Sequence, residues 1–160
     1  MEKKFELTDN FVINALGIKL FQIKCTKAFK NANEGDLGGY VEKEENLSQS
    51  GDAWVYGDAW VYGNAQVYGD ARVSGDAWVS GDARVENDHM HCGFDCFGSC
   101  NRHTHAYMTN ENKVEIRCGC FRGSIEEFER KVKETHAGTI YEKQYKAIIN
   151  LIKIKFGIDG

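Results

Sequence analysis

The chain contains no proline. That absence says nothing about chemistry, although with abundant Lys, Asn and Ile it is compatible with an AT-rich genome. More is excluded by the lack of long apolar runs. None approaches the roughly 18 residues of a membrane-spanning helix. The start, MEKKFELTDNFVI, also lacks the apolar centre of a secretory signal. A cytosolic chain is therefore expected, and its six cysteines read as thiols, metal ligands or nucleophiles rather than as a disulfide framework. No segment is strongly basic either. Lys and Arg total 20 against 24 Asp and Glu, a net charge of −4. Non-specific nucleic-acid binding needs clustered cations to neutralise phosphates, so it is not expected. What is present suffices for a core, since 42% of the residues are hydrophobic.

Six units follow one another from Gly51: GDAWVY, GDAWVY, GNAQVY, GDARVS, GDAWVS and GDARVE. A six-residue period marks a β-solenoid. Val55, Val61, Val67, Val73, Val79 and Val85 are expected to point inward. Ala53, Ala59, Ala65, Ala71, Ala77 and Ala83 fill the corners, and Gly with Asp or Asn makes each turn. If three units close one turn, residues 18 apart stack at about 4.8 Å. Trp54 then lies on Arg72, Trp60 on Trp78 and Gln66 on Arg84. These side chains flank an inward Val, so all are expected to point outward. The stacked Asp corners are explained by turn chemistry. Upstream, GDLGGYVEKEENLSQS at 35–50 reads as a degenerate further coil, with Leu37 in register with Val55 and with Lys43 and Gln49 in the places of Val61 and Val67.

The pattern resembles the left-handed parallel β-helix of hexapeptide-repeat proteins. FELTDN, GDLGGYVEKEENLS and RCGCFRGSIEEFERKVKETH extend the likeness to a group of small proteins common in phages and prophages. The resemblance implies a short left-handed parallel β-helix over 35–86, preceded by an N-terminal β cap at 1–34. Residues 87–160 read as a Cys/His-containing ββαα unit, giving a fold that is mainly β with C-terminal α. A hairpin is expected around Asn110–Glu111–Asn112, with Cys118 and Cys120 both facing the core. Ser124 and Glu127 form a capping box that starts one helix, and Thr139 and Glu142 start a second that runs to about Phe156.

Four chemistries compete. Cys92, Cys96, Cys100 and His103 are the residues expected to hold a structural zinc, although they lack paired C-x2-C knuckles. Cys118 or Cys120 beside His136 could form a thiolate nucleophile. Many hexapeptide-repeat proteins are acyltransferases, but no His lies between Val55 and Val85 and no loop projects from a coil, so the activity does not travel with the fold. The fourth reading is binding without catalysis. Trp54, Tyr56, Trp60, Tyr62, Arg72 and Trp78 form its expected interface, for self-association as a homodimer or for a host protein. That partner is expected to be an antiviral-defence component such as CRISPR–Cas, blocked by occlusion. The alternative is a small-ligand or nucleotide-signal pocket at Arg102, Arg117, Cys118, Cys120 and His136, where the C-terminal unit is expected to meet the solenoid. No cofactor is expected beyond the zinc.

Overall fold

Apolar residues in FELTDNFVI and KLFQIKC build an antiparallel hairpin, β1 (Phe5–Ile13) and β2 (Lys19–Cys25), with a bulge between Leu7 and Phe11. Next comes β3 (Leu37–Val41), antiparallel to β2. Each repeat unit then contributes a two-residue strand ending on its Val. These are β4 (Trp54–Val55), β5 (Trp60–Val61), β6 (Gln66–Val67), β7 (Arg72–Val73), β8 (Trp78–Val79) and β9 (Arg84–Val85). Strands 18 residues apart pair in parallel: Trp54 with Arg72, Trp60 with Trp78, and Gln66 with Arg84. The repeat Val and Ala side chains are all buried. The repeat glycines have φ between 56° and 73°, a region that costs glycine little. The computed structural model describes residues 2–158, and the chain divides into one compact unit ending at Asp88 and a second beginning at His89.

The ladders are mixed rather than purely parallel. The largest sheet runs β1-β2-β3-β5-β8, antiparallel at its hairpin end and parallel where β3 meets β5. The N-terminal strands therefore continue one side of the solenoid. The register of the degenerate coil also differs from expectation. Val41 pairs with Val61, and Leu47 bridges to Val67, each 20 residues apart. Val41 and Leu47 fill the inward places, while Leu37 is exposed. The two extra residues move Lys43 and Gln49 off the core positions.

Capping explains the start of the solenoid. Backbone N–H groups of the first full coil donate to the Ala carbonyls of the next: Trp54 to Ala71 at 3.0 Å, Trp60 to Ala77 at 2.9 Å and Gln66 to Ala83 at 3.0 Å. The first coil's own Ala carbonyls have only the degenerate coil and the N-terminal segment before them. Lys4 Nζ donates to Ala53 O at 2.8 Å, Tyr40 N to Ala59 O at 2.9 Å and Asn46 Nδ2 to Ala65 O at 2.9 Å. Each buried acceptor thus finds a donor, as buried carbonyls must.

The second unit is a four-stranded antiparallel sheet, β10 (His91–Phe97), β11 (Arg102–Met108), β12 (Val114–Cys118) and β13 (Phe121–Ser124), in that order, followed by α1 (Ile125–His136) and α2 (Ile140–Phe156). It has two strands more than the expected ββαα unit. Residues ahead of the expected hairpin supply β10, and the chain beyond Gly119 turns back to supply β13. Ser124 caps α1 in a reciprocal box with Glu127, and Thr139 caps α2. Ala106, Val114, Ile116 and Cys118 from the sheet pack on Ile125, Phe128 and Val132 of α1 and on Tyr145, Ile148, Ile149 and Ile152 of α2. No helix among the described residues is long and apolar enough to cross a membrane.

Candidate functional site

A cleft of about 520 Å³ opens within the second unit. Arg102 starts β11, Cys118 ends β12, Cys120 and Arg122 flank Phe121 at the start of β13, and Lys131 and His136 come from α1. Phe121, Phe128, Val132 and Tyr145 form its apolar wall, Thr135 completes it, and no Asp or Glu lines it. Four of the five expected pocket residues, Arg102, Cys118, Cys120 and His136, thus come together. The cleft is built inside this unit rather than where two units meet. Arg117 is not among its lining: it precedes Cys118 on β12, and strand alternation turns it away from the face that Cys118 occupies.

Local geometry places each group. The β12–β13 turn runs through Gly119 at φ 59°. The turn breaks strand alternation, so Cys118 is buried while Cys120 is exposed, contrary to the expectation that both face inward. A Cβ at Gly119 would collide with the Arg102 guanidinium, so the glycine makes room for it. Arg102 Nη2 donates to Cys100 Sγ at 3.6 Å, and Ser99 Oγ stands 3.8 Å from the same sulfur. These contacts, Ser99 first and then Arg102, hold the exposed Cys100 thiol below its ordinary pKa. Deeper in, Thr104 Oγ1 donates to Cys118 Sγ at 3.2 Å, and Tyr145 Oη lies 3.6 Å from that sulfur. Burial, followed by this thiol contact, raises the Tyr145 phenol well above its usual range. The His136 ring stacks on Tyr145 at 5.5 Å. Cys118 is therefore bonded by Thr104 and Tyr145, and His136 reaches the thiol side of the cleft through the tyrosine. Arg122 Nε donates to Glu115 Oε1 at 2.6 Å, which leaves Arg102 and Lys131 as the cations least engaged by carboxylates. A larger depression of about 800 Å³ between α1 and α2 is lined by both signs of charge and by no thiol or aromatic ring.

The expected zinc ligands separate. Cys92 packs against the core and its thiol is pushed up by burial. Cys96 and Cys100 are exposed. His103 joins a different group: its Nδ1 bonds Asp95, its Nε2 lies 3.1 Å from His105 Nδ1, and His105 Nε2 lies 3.1 Å from His91 Nδ1. Among the described residues, no three His, Cys, Asp or Glu side chains are grouped to hold a metal. The imidazole chain was not legible in the sequence as such. Its signal was the alternation of His103, His105 and Tyr107 on one strand face.

The expected aromatic interface divides as well. Trp54 is 1% exposed, covered edge-on by Phe5 at 6.4 Å and Phe29 at 5.5 Å. Tyr62 is 5% exposed. Tyr56 is half-buried and donates to Asn31 O at 3.0 Å. Trp54 and Tyr62 are therefore core residues rather than displayed rings. Arg72 remains exposed and forks onto Asp88 with contacts of 2.9 and 2.7 Å. Trp60 and Trp78 are half-buried, and their rings stack at 4.8 Å with planes 1° apart.

No curated protein matches the chain. A family model described as the YdcK beta solenoid repeat matches residues 65–81. That stretch covers most of three repeat units, and with the stacked Val ladder it makes the chain a β-solenoid repeat protein.

Proposed function

We propose that this chain is a non-enzymatic binding protein whose C-terminal cleft takes a small anionic ligand. One observation carries the reading: Arg102, Arg122, Lys131 and His136 line a cleft of about 520 Å³ that no carboxylate lines. A phosphate or carboxylate there meets a guanidinium able to bind two oxygens at once. The Phe121–Tyr145 wall supplies apolar surface for the rest of the ligand, the usual composition of a small-molecule site. A nucleotide signal sequestered by such a cleft fits both features. Calorimetry with AMP and with inorganic pyrophosphate tests this. Arg102→Gln and Lys131→Gln are each expected to weaken binding about tenfold, the loss of one charge-assisted contact. Failure of both probes to bind the unmodified protein rejects the reading.

The Trp60–Trp78 stack supports a second reading, docking to a host protein. Half-buried indole rings offer large apolar area to a partner, and Trp is enriched at binding hot spots. The repeat segment at 51–86 holds six acidic residues against two basic ones, which favours a basic partner surface such as a nucleic-acid groove. On this reading the protein is phage-type, acts in the host cytoplasm, and occludes a defence effector such as CRISPR–Cas. The exposed part of the stack also suits homodimerisation, and the winding is left-handed as in hexapeptide-repeat proteins. A pull-down from host lysate with wild-type and Trp60→Ala protein tests it. Capture that is unchanged by Trp60→Ala removes the stack from the interface.

A further inference from the structure

The cleft's cations account for an anion but not for its thiols. Cys118 and Cys120 line it, and Cys100 is bonded to the Arg102 that lines it. Three thiols thus surround one guanidinium, in a cleft that Arg122 and Lys131 also line. Cys100 and Cys120 are exposed and Cys118 is buried. A guanidinium beside an exposed sulfur favours the thiolate, the form that attacks disulfides.

We propose that the cleft is a thiol–disulfide exchange site for an anionic low-molecular-weight disulfide, glutathione disulfide being the probe. The inference rests on the anion-binding reading for its choice of ligand, and names that ligand's class. In the step, the Cys100 thiolate attacks one sulfur of the disulfide. The bond between the two disulfide sulfurs breaks as the Cys100–sulfur bond forms. The departing half leaves as a thiolate and takes a proton from water. Cys100 is oxidised and the departing half is reduced, so no further oxidant is needed. The carboxylates of the retained half lie against Arg102 and Lys131. Retention there fills the cleft and blocks other anions.

The reduced full-length chain is incubated with three disulfides: glutathione disulfide (anionic), hydroxyethyl disulfide (neutral) and cystamine (cationic). Modified cysteines are mapped by mass spectrometry over time. Cys100 is expected to react first. Glutathione disulfide should outpace cystamine by about tenfold at low salt, and the gap should close near 1 M salt, where the screening length is about 3 Å. Arg102→Gln is expected to slow Cys100 only about threefold, since a lost gain in thiolate fraction is partly offset by greater intrinsic nucleophilicity. Lys131→Gln is expected to slow glutathione disulfide several-fold more than it slows hydroxyethyl disulfide. If Cys100 reacts no faster than the exposed Cys96, or if cystamine keeps pace at low salt, the inference fails. Pyrophosphate binding measured in parallel separates the two readings. Pyrophosphate binding without Cys100 modification overturns the exchange site alone. Cys100 modification without charge preference or pyrophosphate binding overturns the anion cleft and, with it, the choice of an anionic disulfide.

Discussion

Lys4 shows how a single side chain can carry a capping task and a pH dependence together. Its ammonium is buried, donates to Gly51 O and Ala53 O, and lies over the Phe29 ring. Burial lowers its pKa from 10.5 to about 8, with Asp52 opposing the shift. The folded-state value is thus below the unfolded one. Below pH 8 both states are protonated and the cost of burying the charge is fully present. Between about pH 8 and 10.5 the folded state sheds its proton first, so stability rises with pH. A neutral amine keeps two N–H donors, so both carbonyls stay bonded. Denaturant unfolding of wild type and Lys4→Met across this window is expected to show the wild type gaining up to about 3 kcal/mol relative to the variant. A flat difference rejects the argument. His105 has the same sign in a lower pH window. It is 3% exposed, and burial, then His91 and His103, hold its pKa well below 6.5. As pH falls through about 6.5, the unfolded state takes up a proton that the folded state refuses. Stability is full above that value and falls by about 1.4 kcal/mol per pH unit below it. His105→Asn should flatten this slope between pH 6.5 and 5 in the same unfolding measurement. Both groups were hidden in the sequence for one reason. Their state is set by burial, and nothing adjacent to Lys4 or His105 in the chain announces what covers it.

Elements that repeat were legible, and elements that cap were not. A period of six with Val always in one place fixes inward and outward faces, and the 18-residue parallel pairing followed from it. The same logic put Trp54 on the outside, because its side chain does leave the Val core. It is buried by Phe5 and Phe29, residues of a segment whose placement periodicity cannot reveal. The register of the degenerate coil slipped for a related reason: the six-residue rule was extended past Gly51, where two more residues separate Val41 from Val61 and Leu47 from Val67. In the second unit, Cys120 followed strand alternation only up to Gly119, where the chain turns. Four of the five cleft residues were still found, since polar and thiol groups at strand ends tend to meet near a facing helix. Asn46 tests the capping account. It is fully buried and its amide donates to Gly63 O at 3.2 Å and Ala65 O at 2.9 Å. Asn46→Ala leaves two acceptors without donors and is expected to cost about 2–4 kcal/mol. Asn46→Asp, which sets acceptors against acceptors, should cost more. Chemical denaturation of both variants measures this, and a loss below about 0.5 kcal/mol for Asn46→Ala would falsify the cap.

Charge is distributed unevenly over the whole molecule. Residues 1–88 hold 9 Lys and Arg against 15 Asp and Glu, a net of −6, while residues 89–160 hold 11 against 9, a net of +2. These sum to the −4 of the chain. The two proposed binding activities therefore draw on opposite fields. Small anions are attracted to the second unit, where the cations of the cleft lie. A macromolecular partner of the solenoid meets an acidic surface and is itself expected to be basic. Long-range attraction acts on association, whereas contacts made by a stacked aromatic pair act on residence time. The solenoid–partner complex should accordingly show two separable dependences in surface plasmon resonance with immobilised partner. Raising salt from about 0.05 M to about 0.5 M shortens the screening length from about 14 Å to about 4 Å, and is expected to lower the association rate at least tenfold while leaving dissociation nearly unchanged. Trp60→Ala is expected to do the reverse, raising the dissociation rate about tenfold or more, as loss of an interface Trp does, with little change in association. An association rate insensitive to salt means that the acidic repeat does not face the partner, and docking must then be sought away from the solenoid.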